Sequence, residues 1–246
     1  MIKFTSTKLA SKGKAGILKP DADGYYTMVI GGLNMFNSVG EYYTADGARQ
    51  LFEQSSTFMR RMQNGCLKGE LGHPKRLPGM SMDDYLRRII TIEETNVCCH
   101  FKEVWLDEQY GKNHPELRNP SLIAIMAKVK PAGPKGPSLK ESFDNPSENV
   151  CFSIRAFTKD YAQHGKTIRV LDQIMTWDGV VEAGLHIANK WDTPALESVD
   201  DCIIRKPMVE RYVSSIAAEV AMEESRFIAT ELLRSFDVPH PLYAKW

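Results

Sequence analysis

Apolar positions along the 246-residue chain fall into short periodic runs separated by polar, glycine- and proline-rich stretches. Residues 25–33 are β-branched and aromatic enough for a strand, which ends at Asn34 and a turn over 37–40. Between 44 and 65, Ala48, Leu51, Phe52, Phe58, Met59 and Met62 recur at helical spacing, and Gly65 stands where a helix stops. Ser81 and Asp84 have the S-x-x-D form of a capping box, which starts a short helix running through Arg88. The pattern then changes character: 89–94, 96–106, 122–130, 150–157 and 167–177 all read as strands. Strands in succession without regular intervening helices argue against a parallel doubly wound sheet. They predict an α+β fold, mainly an antiparallel β-sheet or barrel flanked by helices.

Three stretches break this pattern. Residues 1–20 are rich in Lys, Ser, Gly and Thr and read as a loose N-terminal arm. Residues 131–148 contain Pro131, Pro134, Pro137 and Pro146 with Gly133 and Gly136, and read as a long aperiodic loop. Beyond 200, Pro207 sits where a first helical residue belongs. Val209, Val213, Ile216, Val220 and Phe227 follow at helical spacing, which predicts a C-terminal helical extension over 201–246 after a main domain over 21–200.

Composition narrows the function classes. Lys and Arg number 31 against 31 Asp and Glu, so there is no excess of cations for strong sequence-independent attraction to nucleic acid. No apolar run approaches the roughly 18 residues of a membrane helix, and the N-terminus has no apolar core of secretory length. A soluble intracellular protein is expected. The five cysteines, Cys66, Cys98, Cys99, Cys151 and Cys202, are an odd number and too sparse for a disulfide framework, which fits a reducing compartment. Cys98, Cys99 and His100 lack a second ligand pair at C-x2-C spacing, so a metal site is not expected.

Three segments carry candidate chemistry. Gly69-Glu70-Leu71-Gly72-His73-Pro74 places a histidine at the end of a short strand where Gly72 and Pro74 restrict the backbone. Imidazole is the commonest general base, although most histidines are not bases. In the strand 149–157, alternation sets Val150, Phe152, Ile154 and Ala156 on a core-like face and Cys151, Ser153 and Arg155 on the other. A serine hydroxyl needs a base to take its proton and a donor for the oxyanion its attack creates. Arg155 is placed to supply that donor directly or through an ordered water. The plainer alternative makes Ser153 an exposed strand serine and Arg155 a surface charge, and a third reading takes Cys151 as a thiol nucleophile. In 173–181, Asp178 interrupts an apolar strand. Such acids are usually just solvated, but in a triad a carboxylate holds the imidazole in the useful tautomer.

Taken in order, these segments resemble the prohead maturation proteases of tailed bacteriophages, especially the myovirus core proteases, which are related in fold to the herpesvirus assemblins. The G-E-L-x-H-P box of that family is met by Gly69 to Pro74, its S-x-R strand by Ser153-Ile154-Arg155, and its acid-containing strand by Trp177-Asp178-Gly179-Val180-Val181. The resemblance spans roughly residues 25–184. It implies His73 as general base, Ser153 as nucleophile and Asp178 as third member. The third member of an assemblin triad is a second histidine, so His100, His186 or Glu182 compete with Asp178. After Val181 the chain reads Glu182-Ala183-Gly184, where relatives often carry Pro and small residues.

The resemblance further implies a serine endopeptidase, whose acyl transfer needs no cofactor. A homo-oligomer is expected, with neither nucleic acid nor membrane as partner. Its substrates would be the phage scaffold and major capsid proteins, cut after Glu inside the prohead as it assembles in the host cytoplasm. Ala195-Leu196-Glu197 has the form of such a cleavage site and suggests self-processing that frees the C-terminal helix. The rival class is a non-catalytic scaffold or capsid-assembly protein that oligomerises through that helix.

Overall fold

The computed structural model describes residues 2–10, 20–53, 56–145, 148–181, 184, 185, 187 and 202–204, the first and last stretches as backbone. Its strands and helices, in chain order, are β1 (Ile2–Ala10), β2 (Tyr26–Leu33), β3 (Met35–Phe36), β4 (Tyr42–Tyr43), α1 (Ala48–Glu53), α2 (Thr57–Gln63), β5 (Lys68–Glu70), α3 (Met82–Ile90), β6 (Val97–Asp107), α4 (Tyr110–Asn113), β7 (Ile123–Pro131), α5 (Gly136–Asp144), β8 (Cys151–Gln163), β9 (Lys166–Val180) and β10 (Cys202–Ile204). They make two sheets, one in the order β10-β1-β8-β9-β4-β3 and one in the order β2-β7-β6-β5. Every named pairing is antiparallel except that of β4 with β9. The fold is therefore α+β, built on mainly antiparallel sheets flanked by helices.

The core lies between the inner faces of the sheets. Phe101 of β6 meets Phe152 of β8 edge-on at 5.9 Å between ring centroids, and Phe58 of α2 meets Trp177 of β9 at 5.6 Å. Arg61, on the same face of α2 as Phe58, donates to the Met175 carbonyl at 3.2 Å and binds the helix to β9. Because Trp177 points into this core, its neighbour Asp178 points to the other side of the strand. The two sheets meet where Leu71, just past β5, bridges Gly179 in parallel. That junction builds the site.

Several elements differ from the sequence reading, each for a local reason. The helix expected over 44–65 is two, because Ser56 begins a second one: its hydroxyl accepts from the Met59 N–H, and Asn64 and Gly65 close it. The strand expected over 89–94 is not one. Ile89 and Ile90 are the last turn of α3, buried with Tyr85 and Leu86 at helical spacing, so a β-branched pair was serving a helix face. The loop over 131–148 contains α5, whose Pro137 sits in the first turn and whose Leu139 and Phe143, four apart, supply a two-residue apolar stripe. Residues 2–10, read as part of a loose arm, form β1 along β8, with Ile2 opposite Ile204 of β10. The predicted C-terminal helix lies outside the described residues. Among the described residues no helix is long and apolar enough to cross a membrane.

Candidate active site

The β8–β9 register sets Ser153 directly opposite Asp178, and the two strands run on to a tight turn at His164 and Gly165, both with positive φ. Directly opposed residues share a face. Arg155, two residues after Ser153, lies on that same face diagonal to Asp178. All three are buried, since the face away from the aromatic core is covered as well.

The third element is β5 with the turn after it. Gly69 runs so close to β9 that a Cβ there would lie 2.2 Å from the Trp177 carbonyl oxygen, so only glycine allows the approach. Gly72 then takes φ +81°, and its N–H donates to the Gly179 carbonyl at 2.6 Å, which reverses the chain and brings His73 over the Ser153–Asp178 pair. The Tyr85 hydroxyl of α3 donates to the Pro74 carbonyl at 3.4 Å and ties down the exit of the turn.

His73 joins the other two. Its Nδ1 lies 2.8 Å from Asp178 Oδ2, and its Nε2 is hydrogen-bonded to Ser153 Oγ. An ionised carboxylate only accepts, so Nδ1 carries the proton and Nε2 presents its lone pair to the serine hydroxyl. His73 has 12% of its side chain exposed, against none for Asp178.

Asp178 is fully engaged. Oδ1 accepts from the Glu70 N–H at 3.1 Å and from Arg155 Nη2 at 2.7 Å, while Oδ2 accepts from Arg155 Nε at 2.8 Å and from His73. Burial pushes this carboxyl up, but the Arg155 charge and the His73 hydrogen bond outweigh that and hold it below the usual carboxylate range. It is an anion at neutral pH, aimed at the imidazole.

The oxyanion assignment of Arg155 does not survive. Its five N–H groups meet Asp178 twice, Glu70 Oε1 at 3.0 Å, the Thr91 carbonyl at 3.0 Å and the Ile89 carbonyl at 3.4 Å. A guanidinium committed in this way braces the acid and has no donor left for a substrate oxygen. Burial lowers its affinity for its proton, yet the two carboxylates raise it above the ordinary value.

The competitors for third member stand elsewhere or outside the described residues. His100 accepts from the Tyr25 hydroxyl at Nδ1, 3.0 Å, and donates from Nε2 to the Gly65 carbonyl at 3.0 Å. Glu182 and His186 lie outside the described residues. Cys151 is buried and packs with Val29, Leu122 and Leu185. Burial and the adjacent Cys98 push the Cys99 thiol well above its ordinary value, so it holds its proton at neutral pH. Among the described residues no group of His, Cys, Asp and Glu is gathered as a metal site.

A family model described as the peptidase S80 family matches residues 4–238. The chain belongs to that family. It is also 39% identical over 201 residues to the capsid maturation protease of Pseudomonas phage phiKZ, covering 80% of this chain and 72% of that protein. Among solved structures it is similar to the capsid assembly protease of bacteriophage T4, with a TM-score of 0.48 and 10% identity, over 73% of this chain and 98% of the other.

For an S80 peptidase, sequence reasoning missed two contributors to this site. Glu70 was visible inside the histidine box, but nothing in a linear pattern says that its side chain turns inward. Arg88 reads as an ordinary last-turn cation of α3. In the folded chain its guanidinium pairs with the buried Glu70 carboxylate.

Proposed function

We propose that this S80 peptidase is a serine endopeptidase in which His73 is the general base, Ser153 the nucleophile and Asp178 the orienting acid, with Arg155 bracing Asp178. The observation that carries the reading is the single imidazole hydrogen-bonded through Nε2 to Ser153 Oγ and through Nδ1 to Asp178 Oδ2. Chain order His, Ser, Asp differs from the familiar serine-hydrolase orders, and a triad is recognised by geometry rather than by order.

The chemistry follows from that arrangement. A scissile carbonyl enters beside His73, and Ser153 Oγ bonds to its carbon as Nε2 takes the hydroxyl proton. Asp178 stabilises the imidazolium that results. With Arg155 occupied, the oxyanion falls to backbone N–H groups. His73 then protonates the departing amine, and water repeats the cycle on the acyl-enzyme to release the second product.

The phiKZ relative is a capsid maturation protease, and the likeness supports capsid-related proteins of a phage prohead as substrates. Cleavage of scaffold proteins and action as a homo-oligomer inside the prohead belong to the same proposal. Cleavage after Glu is part of it too and rests on the resemblance of the three motifs. Self-cleavage after Glu197, which would free the C-terminal helix, belongs to the same proposal and falls outside the described residues.

Replacing Ser153 with Ala tests the core of it. Cleavage of capsid and scaffold proteins is expected to fall by roughly 10⁵- to 10⁶-fold in kcat, with fluorophosphonate labelling lost and thermal unfolding little changed. A folded Ser153→Ala protein that still processes those proteins would overturn the assignment. An assembly defect with processing intact would point to the scaffold class.

A further inference from the structure

A second buried polar cluster stands behind the triad, centred on Glu70. This residue closes β5 three positions before His73, and its side chain is wholly buried. Its backbone N–H binds Asp178, and its carboxylate meets Arg155 Nη2 at 3.0 Å, Arg88 Nη1 at 2.9 Å, the Glu93 N–H at 3.0 Å and Asn96 Nδ2 at 3.2 Å. A buried carboxylate is costly unless every lone pair is met, and here two guanidinium groups and two further donors meet them. Burial pushes the Glu70 carboxyl up, while the Arg88 hydrogen bond and the Arg155 charge outweigh it and leave the group below its ordinary value.

We propose that Glu70 is a positioning residue for the reaction: its carboxylate clamps the Arg155 guanidinium against Asp178 and shares that positive charge, leaving Asp178 oriented and anionic toward His73. The inference rests on the serine-endopeptidase reading. Two effects combine in it. Geometrically, Arg155 is gripped from both sides, by Asp178 through Nε and Nη2 and by Glu70 through Nη2. The fork therefore cannot swing off the acid, and Asp178 in turn cannot rotate away from Nδ1.

Electrostatically, Arg155 paired with Asp178 alone would nearly cancel the charge that supports an imidazolium. Glu70 returns one negative charge to the group, and Arg88 at its outer edge balances the set. The other ionisable groups around it are Glu93, which reaches Arg88 at 3.3 Å, and the buried thiols Cys98 and Cys99 of β6. Placing this carboxylate on the strand that leads into His73 couples the base, the acid and α3 through one side chain.

The test is the second-order rate of Ser153 labelling by a fluorophosphonate, measured on the full chain from about pH 5 to about pH 8, with thermal unfolding followed in parallel. Glu70→Gln keeps the shape and removes the charge. Labelling of the folded protein is expected to slow by roughly 10- to 100-fold, as small displacements of catalytic groups do. The acidic limb of the profile is expected to move to lower pH, because a protonated imidazole then has one fewer anion behind it.

A purely structural tie would lower the unfolding temperature and leave the limb of the folded fraction where it was, and that result overturns the inference. Should Glu70→Gln not fold, Arg88→Gln removes a cation from the partly exposed outer edge. It should move the limb to higher pH, and an unmoved limb again overturns it. Ser153→Ala runs beside both. Labelling that persists there sinks the endopeptidase reading itself, whereas labelling lost there but unaltered in Glu70→Gln sinks only the role of Glu70.

Discussion

The β8–β9 hairpin carries a buried arginine toward each of its ends, and the two ends are built differently. At one, Arg155 meets Asp178 through Nε and Nη2 at 2.8 and 2.7 Å, with both side chains closed from solvent. At the other, Arg169 stands directly across the strands from Asp160 but reaches it only at 3.9 Å through Nε. It also reaches Glu41 through Nη2 and the Tyr43 hydroxyl through Nη1 at 3.4 Å. The carboxylates at that end keep 14–15% exposure. Burial lowers the proton affinity of Arg169, and Tyr43, Asp160 and Glu41 raise it above the ordinary value, as its partners do for Arg155. The Arg169 group ties the parallel strand β4 to the hairpin.

What separates the ends is therefore not buried charge, which both have. It is that one acid has a remaining lone pair aimed at an imidazole whose other nitrogen meets a hydroxyl. Buried ion pairs perturb titration wherever they occur, so perturbation alone does not mark a site. Asp178→Asn should lower kcat for peptide cleavage by roughly 10⁴-fold, because an amide at this position favours the wrong imidazole tautomer. Steady-state kinetics on folded protein checks it. A loss of less than about tenfold would mean that Asp178 is only a structural partner of Arg155, which would make the two ends equivalent.

The opposite end gives the complementary result. Arg169→Met leaves Glu41 and Asp160 without their shared cation and should cost about 3 kcal/mol, less than a fully enclosed pair would because both acids reach water. That corresponds to roughly 6–12 °C in Tm for a domain of this size. Fluorophosphonate labelling of the protein that remains folded should stay within about threefold of the parent. A fall comparable to that of Asp178→Asn would show that the Arg169 group also supports catalysis.

The contrast also explains which parts of the molecule were legible in the sequence. Ser153, Arg155 and Asp178 were readable as strand residues because a period of two needs only local neighbours, and Gly72 and Pro74 flagged the turn that presents His73. The destination of the Arg155 side chain was not readable, since it depends on the β8–β9 register and on a second buried face. Alternation predicts one wet face, and here α3 and β5 cover it. Glu70 and Arg88 escaped for the same reason: they meet through tertiary packing across 18 positions of chain. Among the elements, the antiparallel strands with strong β-branched runs were legible. Ser56 as a cap inside a helical pattern, and α5 with only Leu139 and Phe143 to mark it, carried too little periodic signal.

Acid unfolding probes the site end most gently. Asp178 and Glu70 both ionise more readily folded than unfolded. Each therefore contributes stability that is fully present above the unfolded carboxyl range and is lost as pH falls through the lower folded values. The expected outcome is a Tm that holds near neutral pH and drops steeply below about pH 4, where unfolded carboxyls begin to take up protons. Calorimetry on the parent and on Glu70→Gln separates the contributions. The variant starts less stable and should show a shallower acid slope, because one proton-linked group has gone and its partner Arg155 no longer draws on a second anion. An acid slope identical in both proteins would mean that the Glu70 carboxyl titrates alike in the folded and unfolded chain. The clamp on Arg155 would then be no tighter than a solvated pair, and the site end of the hairpin would differ from the Arg169 end only in having an imidazole and a hydroxyl nearby.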